Sequence, residues 1–339
     1  MGRHLFRRLV AGTCGLVWLL AIASPVAAAS PSWMPPGLSA RFDAQVLPHF
    51  RIVAYYGSPL TPAMGILGEQ PQSLMISQLL AQAAVYAKLD PAHPVIPALE
   101  MVAVVAARSP GPGDTYSRRM PYALIQQELN LARSIHGLLI LDVQVGHASV
   151  QSEVQYLAPF LAQPDVELAL DPEFDMPPGD IPGIEFGTMP TSSINWTLNY
   201  LNTMVKVDHL PQKVLIVHQF LKRMIPQWNL IAPQPYVALV RDMDGFGGQP
   251  LKIANYERFV RKEAVSCTAP AAAIGIDLRM ITTPVEMAPA VFRMIQRTLS
   301  QPVAPCGGFK IFYKADKPPM TPQQTLTELT PAPLVVIYQ

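Results

Sequence analysis

The chain reads as an α/β protein, a single-domain (β/α)8 barrel of the TIM type with an insertion before its seventh strand. Two observations predict this: eight short apolar runs rich in β-branched residues, and stretches of helical periodicity between them. A third is that each run is apolar nearly throughout rather than alternating, as strands covered on both faces are.

The strand runs are 51–57, 95–100, 138–144, 166–171, 213–219, 236–241, 308–313 and 334–338. Helical periodicity fills 73–89, 121–135, 149–161, 192–207 and 250–262. A G-x-G-x-x-G turn after the first strand would favour an open nucleotide-binding sheet, but Gly57 leads into Ser58-Pro59-Leu60. The last strand ends one residue before the chain does, with no helix after it. Segment 31–50 is therefore expected to cover the exposed side of the barrel or to close its bottom. Residues 264–306 break the repeat, with 271–280 strand-like and 284–299 helical. Cys267 and Cys306 flank that stretch. They are the two cysteines left once Cys14 departs with a leader, so the expectation is one disulfide fastening the base of the insertion.

That leader is residues 1–29: Arg3, Arg7 and Arg8, then an apolar run from 9 to 23, then Ala27-Ala28-Ala29 before Ser30. Basic, apolar and small, in that order, is the pattern of a cleavable signal peptide. The run is shorter than the ~20 residues of a spanning helix, so no membrane span is expected. Cys14 follows Thr13 inside the apolar run, which does not suit a lipid anchor. The expected location is periplasmic or extracellular. Cleavage removes three arginines and no acid, shifting the formal charge from +1 to −2 and leaving nothing basic to attract nucleic acid. Half the residues are hydrophobic and 14% charged, which suits a packed globular domain; the 36 prolines gather between periodic segments as loop punctuation.

A barrel collects its chemistry where strands end and loops begin. The fourth strand runs into Asp171-Pro172-Glu173, two acids at i and i+2 on one side of an extended chain. Paired carboxylates are what glycoside hydrolysis needs, one to protonate the leaving oxygen and one to attack or stabilise the sugar cation. The same D-x-E also suits a loop cap or an arginine partner. Other strand ends add Asp142 and Gln144, His218 and Gln219, Asp242 and Asp244, Lys310 and Tyr313, and on the first strand Tyr55 and Tyr56. Acids gathered on one rim push their pKa values apart, which divides a pair into acid and base.

Asp142, His147, His218 and Asp242 are metal-ligand types, yet no H-E-x-x-H, H-x-x-x-H or clustered Cys/His spacing occurs. No metal or other cofactor is expected. Gly245-Phe246-Gly247-Gly248 lacks the lysine and hydroxyl of a P-loop and reads as a flexible rim loop; a G-x-S-x-G elbow is absent.

The rim motifs together resemble a known group. They are Y-Y-G-S-P-L-T-P-A-M-G-I-L-G-E at 55–69, L-D-V-Q-V-G at 141–146, A-L-D-P-E-F at 169–174, V-H-Q-F at 217–220, D-M-D-G-F-G at 242–247, G-F-K-I-F-Y-K at 308–314 and V-V-I-Y-Q at the end. The chain is similar to uncharacterised bacterial exported proteins and lipoproteins, for which a glycoside-hydrolase-like barrel is thought to hold. The resemblance implies a rim site but no substrate, and the chain departs from the group at 264–306. Asp171 and Glu173 also match the last two acids of the chitinase-type D-x-x-D-x-D-x-E pattern, while Val166 and Ala169 stand at the first two.

The expectation is thus an exported barrel that acts on or binds a glycan. Glu173 would be the acid/base and Asp171 or Asp142 its partner, with Tyr55, Tyr56, Gln144, His218, Gln219, Asp242, Asp244, Lys310 and Tyr313 contacting substrate. The alternatives are a non-catalytic envelope or ligand-binding protein, and a metal-dependent hydrolase or deacetylase. The oligomeric state is left open.

Overall fold

The computed structural model describes residues 31–39, 44–269 and 304–339. Eight parallel strands close into a barrel: β1 (Arg51–Gly57), β2 (Val95–Ala106), β4 (Leu138–Val143), β5 (Val166–Leu170), β6 (Lys213–Gln219), β7 (Val237–Met243), β8 (Cys306–Ile311) and β9 (Val335–Tyr338). Each pairs with its neighbour in order, and β1 pairs with both β9 and β2 to close the ring. A short β3 (Ser117–Arg119) adds antiparallel to the far end of β2. The helices are α1 (Gln72–Leu89), α2 (Tyr122–Ser134), α3 (Val150–Tyr156), α4 (Ala158–Leu161), α5 (Thr191–Asp208), α6 (Gln249–Tyr256) and α7 (Pro322–Thr327). Among the described residues, no helix is long and apolar enough to cross a membrane.

The continuous apolar runs are explained by the two cores they serve. Alternate residues such as Val53, Leu139, Leu168, Leu215 and Leu239 face outward and pack with the helices. Their neighbours Ile52, Ala98, Ile140, Ala169, Ile216 and Val240 face inward and fill the barrel. Segment 31–50 plugs its bottom: Met34, Leu38, Val46, Leu47 and Phe50 join the inner core. Gln212, just before β6, holds the plug in register by accepting from the Val46 and Leu47 amides at 3.0 and 2.9 Å.

Three elements differ from the sequence reading. β2 runs six residues past Glu100, with a register shift between Val102 and Val104, and turns into the β3 hairpin. The predicted 149–161 helix is two, because Pro159 cannot donate the backbone hydrogen bond that continuity needs and instead sits in the first turn of α4. The helix at 250–262 is α-helical to Tyr256, and then widens to a π-helical turn over Glu257–Lys262.

Cys267 and Cys306 form a disulfide with their Cα atoms 4.9 Å apart. It joins the start of β8 to the chain leaving β7, where the Leu239 amide donates to the Cys267 carbonyl at 2.7 Å. The strand-like 271–280, the helical 284–299 and the leader 1–29 lie outside the described residues.

Candidate functional site

The inward positions change character toward the C-terminal ends of the strands. Below are isoleucine, alanine, leucine and valine; above them come Tyr56, Glu100, Asp142, Asp171, His218, Asp242 and Lys310, each almost wholly buried. Asp244 and Glu173 follow on the loops after β7 and β5. These side chains share the same end because the period of two carries the inward face one step beyond each apolar layer.

His218 sits at the centre. Its Nε2 lies 3.0 Å from Glu100 Oε1 and its Nδ1 2.9 Å from Asp242 Oδ2, with Asp244 Oδ2 at 3.8 Å. Burial and Lys310 push the imidazole toward neutrality, but the hydrogen bonds to Asp242 and Glu100 outweigh them and hold it charged. Lys310 Nζ reaches Asp244 at 3.4 Å and lies 3.6 Å from the centre of the Tyr56 ring. Burial opposes its charge, yet Asp244, Glu100, Asp171 and Asp142 together raise its pKa. The Tyr56 hydroxyl donates to Asp142 Oδ2 at 3.1 Å and accepts from the Gln144 amide at 3.3 Å. Gly308 makes room for this: a Cβ there would stand 2.7 Å from Asp242 Oδ1.

Six carboxyl groups thus surround two cations, more negative charge than a buried site holds when fully ionised. Burial raises Asp142 to about 6, helped by Glu100 and opposed by His218 and Lys310. Burial, Glu173 and Asp142 raise Asp171 well above the usual carboxylate range. Glu173 rises to about 7, first from burial and then from the charge of Asp244. Asp244 is raised by burial too, but Lys310 and His218 pull it back toward the charged form. One oxygen each of Glu100, Asp142, Asp171 and Asp242 is buried without a hydrogen-bond partner among the described residues.

A cavity of about 920 Å³ opens above this cluster. Tyr56, Gln144, Asp171, Glu173, Asp244 and Lys310 form its floor. Asp142, His218 and Asp242 lie beneath, fully buried and linked to the floor through Tyr56, Asp244 and Lys310. Three expected contact residues lie elsewhere. Gln219 points into the outer shell, accepting from Arg241 Nε at 2.8 Å and donating to the Leu221 carbonyl. Tyr55 packs in the outer core, edge to face with Tyr338, and Tyr313 stacks on Tyr338 at 5.2 Å. Tyr55 and Gln219 are each one position out of phase with the inward face, and a one-residue step reverses the side of a strand; Tyr313 lies two residues beyond the end of β8, in the turn that follows.

Glu100 and the phenylalanines of the cavity wall were not among the expected site residues. Glu100 is a lone acid in the run ALEMVAVVA, and a charge amid so many apolar residues was the available signal. The loop 245–248, expected to be flexible, is tied down: buried Asp316 accepts from the Gly247 amide at 2.9 Å and from Lys252 Nζ at 2.6 Å. Gly247 sits at φ 144°, a conformation open to glycine.

His218, Asp242 and Asp244 also offer ligand atoms within 4.8 Å of one another, a spacing compatible with a metal ion. Their hydrogen bonding argues against that use. Both imidazole nitrogens already face carboxylates, so the ring is a double donor without a free lone pair, and the Lys310 ammonium stands beside Asp244 where an ion would bind.

No protein-family model matches the chain, and no curated protein matches it.

Proposed function

We propose that this is an exported carbohydrate-active barrel that cleaves a glycosidic bond, with Glu173 as general acid and Asp244 as the carboxylate that stays ionised. The supporting observation is the contrast between these two acids on one cavity floor. Glu173 is pushed to about 7 by burial and by Asp244 itself, so near neutral pH it still carries a proton to donate. Asp244 has a lysine at 3.4 Å and a charged imidazole at 3.8 Å, which favour its anion. Glu173 meets the added charge of a carboxylate while Asp244 meets two cations, and such a difference in surroundings divides the roles of acid and base or nucleophile.

In this reading Asp171, buried beside Glu173, stays protonated and helps keep the charge on Glu173 unfavourable. Asp142, held under Tyr56, tunes the cluster without touching substrate. His218, held charged between Glu100 and Asp242, places an imidazolium beneath Asp244 and positions it. Export agrees with the disulfide, which persists in oxidising compartments.

The test is hydrolysis of a panel of aryl glycosides and oligosaccharides by the purified protein, beside a glycan array. Turnover that falls by about 10²-fold or more in Glu173→Gln, with binding kept, supports the proposal. Glycan binding without turnover moves the protein to the ligand-binding class. No binding and no turnover across both panels overturns the glycan reading.

A further inference from the structure

The outer half of the cavity has a chemistry that the acidic floor does not explain. Its wall carries two edge-to-face phenylalanine pairs, Phe186 with Phe220 at 5.4 Å and Phe246 with Phe312 at 5.9 Å. Phe246 is 68% exposed and Phe186 49%, both on loops, and Leu251 in the first turn of α6 is 57% exposed, all at the same mouth. Large apolar side chains held open around a concave site mark a surface that is covered in use. Phenyl rings without a hydroxyl or N–H suit methylene groups as partners.

Beside this wall stand Lys222 and Arg258. Both reach the same Glu263 carboxylate, at 3.4 and 3.6 Å, and Arg241 takes its other oxygen at 3.3 Å. One carboxylate shared by three cations leaves a local surplus of positive charge at the mouth, opposite in sign to the floor. An anion is favoured at this edge and repelled from the acids below.

We infer that the cavity's ligand is an anionic glycolipid: a sugar on the acidic floor, a phosphate-type anion at Lys222 and Arg258, and an alkyl chain along the phenylalanine wall. This rests on the sugar reading of the floor and adds the aglycone. The two opposed charges fix the direction in which such a molecule enters.

Calorimetric titration with the dodecyl phosphodiester of glucose 1-phosphate tests it, beside glucose 1-phosphate, dodecyl glucoside and dodecyl phosphate, each below its micellar concentration. The diester should bind at least about tenfold more tightly than each of the other three. The double variant Lys222→Ala, Arg258→Ala should erase the advantage over dodecyl glucoside, and Phe246→Ala should weaken both alkyl glycosides while sparing glucose 1-phosphate. A diester no tighter than glucose 1-phosphate overturns the glycolipid assignment and leaves the sugar reading standing. Dodecyl phosphate binding as tightly as the diester shows that the floor reads no sugar, and overturns both.

Discussion

Glu173 and Asp171 stand two residues apart, yet the barrel gives them different surroundings. Both line the cavity, but Asp171 is inward on the line of β5 and almost fully buried, whereas Glu173 belongs to the short turn Pro172–Phe174 and is less deeply buried. A carboxyl held near 7 is protonated at pH 6 and largely ionised at pH 8. If it donates the proton, kcat should fall as pH rises through about 7, and the Glu173→Gln variant should lose that limb together with its turnover; a pH–rate profile reads both. Lys310 has a structural share in the same cluster. Replacing it with methionine keeps the length but leaves Asp244 and the buried acids without their nearest ammonium. Removing one partner of a buried ion cluster costs ~3–5 kcal/mol, so Lys310→Met should lower the melting temperature sharply in calorimetry. An unchanged melting temperature would mean that the acids are already neutral without it.

At the scale of elements, the strands were legible because each must be apolar on both faces, and all eight runs become barrel strands, seven of them within a few residues of their expected ends and β2 running six residues longer. What the sequence could not carry was phase. Tyr55 and Tyr56 look equivalent in print, but the inward turn of Ile52 and Ala54 makes Tyr56 the floor and sends Tyr55 outward. Gln219 and His218 divide in the same way. Asp171, Glu173, Asp244 and Lys310 could be picked out as strand-end groups, whereas Glu100 sits mid-strand because β2 continues unexpectedly to Ala106. The glycine pair opening β8 is legible only in three dimensions. Gly308→Ala would press a methyl group to 2.7 Å from Asp242 Oδ1, and the strand or the carboxylate must give way. The expected result is a loss of roughly 1–3 kcal/mol in urea unfolding, together with disturbed ligand binding. The Cys267–Cys306 bond closes a sequence separation of 39 residues. In the loop-entropy estimate it is worth about 4 kcal/mol, so the reduced protein should melt well below the oxidised one, and unreduced peptide mass spectrometry should show the cross-link.

For the whole molecule, the gathering of raised carboxyls sets how stability follows pH. Asp142 and Asp175 are held near 6, Glu167 and Glu173 near 7, and burial is the leading cause in each. A carboxyl whose pKa is higher folded than unfolded contributes stability that is fully present below its unfolded value and is lost as pH rises through its folded value. The charged His218 acts in the same sense at higher pH. The protein should therefore melt at higher temperature at pH 5 than at pH 8, the loss falling between about pH 4.5 and 7 and continuing above. Glu167 lies in the barrel interior with one oxygen unpaired among the described residues, and alone it accounts for ~3 kcal/mol of that slope at most, so Glu167→Gln should flatten the curve. Export has its own check, since N-terminal sequencing of the secreted protein should begin near Ser30. The most direct test of the central claim is a paired assay of the purified protein and Glu173→Gln on the glycoside panel, with circular dichroism to verify the fold. Cleavage by the first, and a loss of about 10²-fold or more in the second with glycan affinity kept, is the predicted result; equal cleavage by both would contradict the assignment of Glu173 as the acid.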